Sequence, residues 1–99
     1  MAEAIPVVVT QRAIEEMASV AQYISGQGFP ENAKRYYDRM LAFTETLGHM
    51  SLKFPICRKP AFNRWNYRCG VFESTYVFVC KIHDGVVLLL SILHTKQMS

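Results

Sequence analysis

Acidic residues are missing from a long stretch of this 99-residue chain: none occurs between Glu45 and Glu73, while Lys53, Arg58, Lys59, Arg64 and Arg68 all fall there. Long apolar runs are missing as well. None is longer than Val86 to Leu90, which is strand-sized and far short of the roughly 18 residues that span a bilayer. Glu3 and Pro6 interrupt the N-terminus before the apolar core of a secretory signal, so a cytoplasmic protein is expected. Cysteine is scarce and odd in number: Cys57, Cys69 and Cys80, with no C-x-x-C spacing. A disulfide framework and a zinc site are both poor readings of that set, and reduced, buried thiols are the simplest one. No glycine-rich phosphate loop, H-E-x-x-H or nucleophile elbow is present. Glu15 and Glu16 are adjacent on a helix and point apart, which excludes them as an acid/base pair.

What is present suits one folded domain over residues 1–99: hydrophobic residues make up 51% and charged residues 19%, with a net charge of +3. Ile5 to Val9 is short and β-branched and reads as a strand, with Pro6 favouring an edge or a first-residue position. Thr10 offers an N-cap, and Ile14, Met17, Ala18, Ala21 and Ile24 follow helical spacing until Gly26 and Gly28. A second helix begins near Phe29-Pro30-Glu31-Asn32, carries the stripe Ala33, Tyr37, Met40, Leu41, Thr44 and Leu47, and is expected to stop at Gly48. The stretch 49–62, with Pro55 and Pro60, reads as a loop.

The period then changes to two. Trp65, Tyr67, Cys69 and Val71 alternate with Arg64, Asn66, Arg68 and Gly70, which predicts a strand with one apolar and one polar face. A turn at Glu73-Ser74 leads to a strand over 75–82. Asp84-Gly85 signals a hairpin, and Val86 to Leu93, apolar on both faces apart from Ser91, reads as a central strand. The fold class is α+β: the order β-α-α-β-β-β gives an antiparallel sheet packed on one face by a helical hairpin, with the N-terminal strand in the same sheet.

The basic residues from Lys53 to Arg68 are interleaved with Phe54, Phe62, Trp65, Tyr67 and Phe72. This reads as a surface for nucleic acid or an acidic protein segment, or as a solvated strand face beside a basic loop. His94 closes the last strand before Thr95-Lys96-Gln97. It reads as a proton donor or phosphate contact, or as a structural hydrogen-bonder. His49 and His83 are surface residues. Tight turns would put Arg68 across from Val79 and Val79 across from Leu90. Arg68 and His94 would then share a sheet face about 16 Å apart, close enough to flank one extended ligand and too far to touch.

Val7-Val8-Val9-Thr10, Ala13-Ile14-Glu15-Glu16-Met17, Ala21-Gln22-Tyr23-Ile24-Ser25, Pro30-Glu31-Asn32-Ala33-Lys34-Arg35-Tyr36-Tyr37, Tyr76-Val77-Phe78-Val79 and Ile92-Leu93-His94-Thr95-Lys96 follow one another in an order that resembles the RelE/ParE family of toxins from type II toxin–antitoxin (plasmid stabilisation) modules. The resemblance covers nearly the whole chain and lies closer to the ParE-like branch. It implies a toxin silenced by a cognate antitoxin, with no cofactor, no metal and no membrane. A homodimer and a heterotetramer with the antitoxin are both open.

ParE-like members poison DNA gyrase by binding. On that branch the resemblance implies Arg58, Lys59, Arg64, Arg68, His94 and Lys96 as target-binding residues. RelE-like members are ribosome-dependent mRNA endonucleases. On that branch Arg68 would stabilise the phosphate, Lys96 would contact the backbone and His94 would be the general acid. The nuclease pattern is thin in this chain: Gly70 stands where a second Lys is expected, Val77 follows Tyr76 where an Arg is expected, and Gln97 follows Lys96. The ParE-like pattern also has departures, at Val77, at Cys80 and in a missing Gly after Pro55. A third reading is a member without toxicity, kept for complex formation.

Overall fold

A computed structural model describes residues 5–28, 30–50 and 54–98. Phe29 and Lys53, named above, lie outside the described residues, as does the side chain of His49. The order is β1 (Val7–Val9), α1 (Gln11–Gly26), α2 (Pro30–Met50), α3 (Pro60–Asn63), β2 (Arg68–Phe72), β3 (Tyr76–His83) and β4 (Val86–His94), closed by a 3-10 turn, Thr95–Met98. The α+β class and the helical hairpin are as expected. The strands lie in the order β1-β4-β3-β2. β2, β3 and β4 form an antiparallel meander, and β1 runs parallel to β4 with Val7 opposite Val87. β4 is therefore central, as its two apolar faces required.

Thr10 fixes the phase of α1. Its hydroxyl oxygen accepts the Ala13 N–H at 3.3 Å and donates to the Leu89 carbonyl at 2.7 Å. This pin turns Ala13, Met17 and Val20 into the core. The expected stripe is rotated accordingly, and Ile14 is 41% exposed. The two rows have the same spacing, so periodicity alone could not choose between them. On α2 the expected stripe is nearly right: Ala33, Met40, Thr44 and Leu47 are buried, while Leu41 is exposed.

Gly48 does not end α2. The helix continues to Met50, and Gly48 is buried where the chain before β1 crosses it, with its carbonyl accepting the Ile5 N–H at 3.1 Å. A glycine serves close approach here instead of termination. The loop expected over 49–62 also contains structure, since Pro60 starts the one-turn α3 with Lys59 at its N-cap.

Between the sheet and the hairpin lies the main core, built on Met17, Met40, Leu47, Phe72, Phe78, Cys80, Val87, Leu89 and Ile92. The other face of the sheet is not bare. Segment 55–67 folds back over part of it and forms a smaller cluster in which Cys57, Val77 and Val79 meet Phe62, Tyr67, Cys69 and Leu93. Among the described residues no helix is long and apolar enough to cross a membrane.

The expected register of β2 is corrected by one residue. Phe72 pairs with Tyr76, so Arg68 pairs with Cys80, not Val79. Glu73 and Ser74 both take positive φ, and the Thr75 N–H donates to the Phe72 carbonyl at 3.1 Å. A second shift follows on β4, where Val79 faces Ser91 and Cys80 faces Leu89, leaving Leu90 as a bulge. A one-residue slip exchanges the faces of a strand. Arg68, Gly70 and Phe72 thus face the helices, and Tyr67, Cys69 and Val71 face away. The alternation was real, but its apolar half is not the half in the main core.

Candidate functional site

The segment over the second face is held by a covalent bond. Cys57 and Cys69 form a disulfide with Cα atoms 5.1 Å apart, and only Cys80 is free among the three cysteines. This corrects the reading of reduced thiols. The sequence distance of 12 residues says nothing about proximity. The pairing arises because Ile56 bridges Arg68 in antiparallel fashion, with the Cys57 N–H on the Tyr67 carbonyl (2.8 Å) and the Cys69 N–H on the Pro55 carbonyl (3.0 Å).

Arg58, Arg64 and Trp65 project outward from this clamped segment, and Trp65 is 59% exposed. Lys59 turns toward the end of the chain. Its Nζ donates to the Gln97 carbonyl at 2.8 Å and lies 5.8 Å from the Phe62 ring centroid. The Gln97 side chain in turn accepts the His94 N–H at 2.8 Å. Gln97 therefore ties the basic segment to the His94-Thr95-Lys96 end, and Arg58, Lys59, Arg64, His94 and Lys96 all lie on or beside these two linked segments.

Arg68 is the exception. Its Nη1 donates to the Phe54 carbonyl at 2.7 Å on the helix side of the sheet. One residue pair further along, a Cβ on Gly70 would sit 3.1–3.3 Å from ring atoms of Phe54 and Phe43. The space where a longer side chain would project is filled by aromatic rings. His94 lies opposite Tyr76 and Tyr76 opposite Phe72, four residues from Arg68, so two strand spacings and four rises keep Arg68 and His94 about 16 Å apart along the sheet.

His94 pairs with Tyr76, their rings edge to face at 5.5 Å. Its Nδ1 accepts the Lys96 N–H at 3.1 Å, which assigns the ring proton to Nε2. The ring lines an open groove of about 450 Å³ with Glu16, Ser19, Tyr23, Tyr76 and Gln97. Burial raises the Tyr76 phenol, with Tyr23 adding to it, so Tyr76 is a neutral donor there. Behind the site burial holds the Cys80 thiol up to about 11, despite the opposing pull of Arg68, and the buried thiol is inert. Among the described residues no cluster of His, Cys, Asp and Glu could hold a metal ion.

Neither Glu16, set aside above as half of an acid/base pair, nor Gln97, noted only as a departure from the nuclease pattern, was expected to hold the site together. β1 ends at Val9, so the outer edge of β4 past Leu89 has no strand partner among the described residues. Glu16 accepts the Ile92 N–H at 3.1 Å and the Ser91 hydroxyl at 3.0 Å. Ser91, a lone polar residue in an apolar strand, was the signal that a polar partner existed.

A family profile described as the ParE toxin of type II toxin–antitoxin system, parDE, matches residues 7–98. The chain belongs to the ParE toxin family. Among solved structures, the chromosomal ParDE toxin–antitoxin system from P. aeruginosa superposes with a TM-score of 0.78 over 92% of this chain and 96% of that one, at 12% identity. At that identity the likeness speaks for the fold. A search of curated proteins returns no significant match. Membership in this family makes the protein a toxin component and implies an antitoxin partner.

Proposed function

We propose that this ParE family toxin inhibits DNA gyrase in the cytoplasm by binding it, through the outward cations of segment 55–67 together with the His94-Thr95-Lys96 end. The observation that carries the reading is the division of the basic residues. Arg58 and Arg64 face solvent, and Lys59 is tied to the chain end through Gln97. Arg68, the cation a nuclease reading would place on phosphate, is committed to the Phe54 carbonyl, far from His94. Phosphate stabilisation and proton donation need groups that converge within hydrogen-bond reach of one site. A dispersed cationic surface with an exposed tryptophan suits docking on a large partner. Arg68 then contributes by positioning the segment.

The antitoxin neutralises the toxin by laying an amphipathic segment on the hairpin, where Ile14, Tyr23 and Leu41 are exposed, and by adding a strand to an edge of the sheet. The deciding experiment runs gyrase supercoiling and in vitro translation side by side. The wild-type chain should block supercoiling and leave mRNA intact. The double variant Arg58→Glu, Arg64→Glu should need at least about tenfold more protein for the same inhibition. Cleaved mRNA with supercoiling untouched would overturn the reading in favour of the nuclease branch.

A further inference from the structure

We propose that the Cys57–Cys69 disulfide is a thiol-responsive latch: when oxidised it clamps the cationic segment 55–67 onto the sheet, and its reduction frees that segment while the rest of the fold persists. The bond lies outside the main core. Cys57 and Cys69 belong to the small second-face cluster, and none of the side chains in the main core comes from residues 55–67.

Apart from the bond, few contacts among the described residues join the segment to the body: the Cys57 and Cys69 amide bonds across the Ile56–Arg68 bridge, the Lys59–Gln97 bond and the packing of Phe62 and Tyr67 on Val77, Val79 and Leu93. A region so lightly packed opens at lower free energy than the core. The cross-link removes much of that freedom by holding the ends of a short loop together. Exchange with the third cysteine is barred, because Cys80 points to the opposite face of the sheet, into the main core.

The chemistry needs a dithiol reductant. Cys57 is 2% exposed and Cys69 is partly exposed, so the reductant's thiolate attacks the Cys69 sulfur. The Cys57–Cys69 bond breaks, a mixed disulfide forms at Cys69, and Cys57 leaves as a thiolate that takes up a proton. The second thiol of the reductant then attacks the mixed disulfide, so Cys69 is released as a thiol and the reductant becomes a disulfide. Two electrons and two protons pass to the toxin. The residues that gain freedom are Arg58, Lys59, Arg64 and Trp65. The effect on target binding rests on the gyrase reading above, whereas the latch itself does not.

Hydrogen exchange on the full chain, with and without dithiothreitol, tests it, with thiol alkylation counting the free cysteines. Alkylation in denaturant, which exposes the buried Cys80 as well, should label one thiol without reductant and three with it. Reduction should speed amide exchange at least about tenfold within residues 55–67 and leave α1, α2, β3 and β4 unchanged. The variant Cys57→Ser, Cys69→Ser should exchange like the reduced chain with or without dithiothreitol. Three free thiols before reduction, equal exchange in both states, or loosening of the whole chain would each overturn the latch. A freed segment with undiminished gyrase inhibition would uphold the latch and remove the segment from the target-binding surface.

Discussion

Replacing Glu16 by alanine should loosen the end of β4 that carries His94. The carboxylate supplies what a fifth strand would otherwise give: Oε1 takes the Ile92 N–H at 3.1 Å and the Ser91 hydroxyl at 3.0 Å, with Oε2 at 3.3 Å from the same hydroxyl. Arg12 stands 3.8 Å away with its side chain 73% exposed, so that ion pair adds little. A hydrogen bond to a charged acceptor contributes about 1.5–3 kcal/mol, and an orphaned buried amide costs about 1–3 kcal/mol. The Glu16 side chain is 27% exposed, so water can reach part of the gap. This keeps the total for Glu16→Ala near about 2–3 kcal/mol.

Glu16→Gln preserves an acceptor in the same place and loses only the charge assistance, about 1 kcal/mol. Urea unfolding measures both, provided the slope is unchanged. A double-mutant cycle with Ser91→Ala should return a coupling of about 1 kcal/mol. Faster exchange of the Ile92 amide should accompany Glu16→Ala. An alanine variant within about 0.5 kcal/mol of wild type, or a glutamine variant as damaged as alanine, would refute the reasoning.

Two further outcomes follow from buried contacts. Gly48→Ala improves helix propensity by about 1 kcal/mol. The added Cβ, however, would overlap the Ile5 carbonyl and sit 3.0 Å from the Val7 Cγ2, so displacing the backbone should dominate and destabilise by about 1–2 kcal/mol net; a raised melting temperature would contradict this. Alkaline pH should weaken the fold, because burial pushes Cys80 from 9.0 to about 11 and Tyr36 from 10.0 to about 12. Both folded-state values are raised, so the stabilisation is complete below the ordinary values. It is lost as the pH climbs through 9 to 11 for Cys80 and through 10 to 12 for Tyr36. Unfolding free energy against pH should fall over that window, and in Cys80→Ala it should stay level from 9 to 10 and fall less steeply above 10, where Tyr36 alone of the two remains; a flat wild-type curve would dismiss the assignment.

Much of the architecture was legible because it rests on local rules. Thr10 as a cap, the α2 stripe, the Asp84-Gly85 turn and the apolar run that opens β4 each announce themselves within a few residues. The errors came where two patterns were locally equivalent. The Ile14 row and the Ala13 row of α1 share one spacing, and only the Thr10 contact with Leu89 selects between them. Gly48 has the composition of a helix stop, yet it is kept for the passage of the Ile5 backbone.

By itself, the sequence determined the class, the order of elements and the wealth of positive charge between Glu45 and Glu73, since propensity, periodicity and composition are properties of neighbouring residues. Only the tertiary structure decided which face each cation occupies. The turn over Glu73 and Ser74 shifts the β2 register by one residue and carries Arg68 from the outer face to the inner one. It also decided that Cys57 meets Cys69, because that distance is set by how segment 55–67 returns across the edge of β2. Pairing register and chain return are non-local, and no short window of residues contains them.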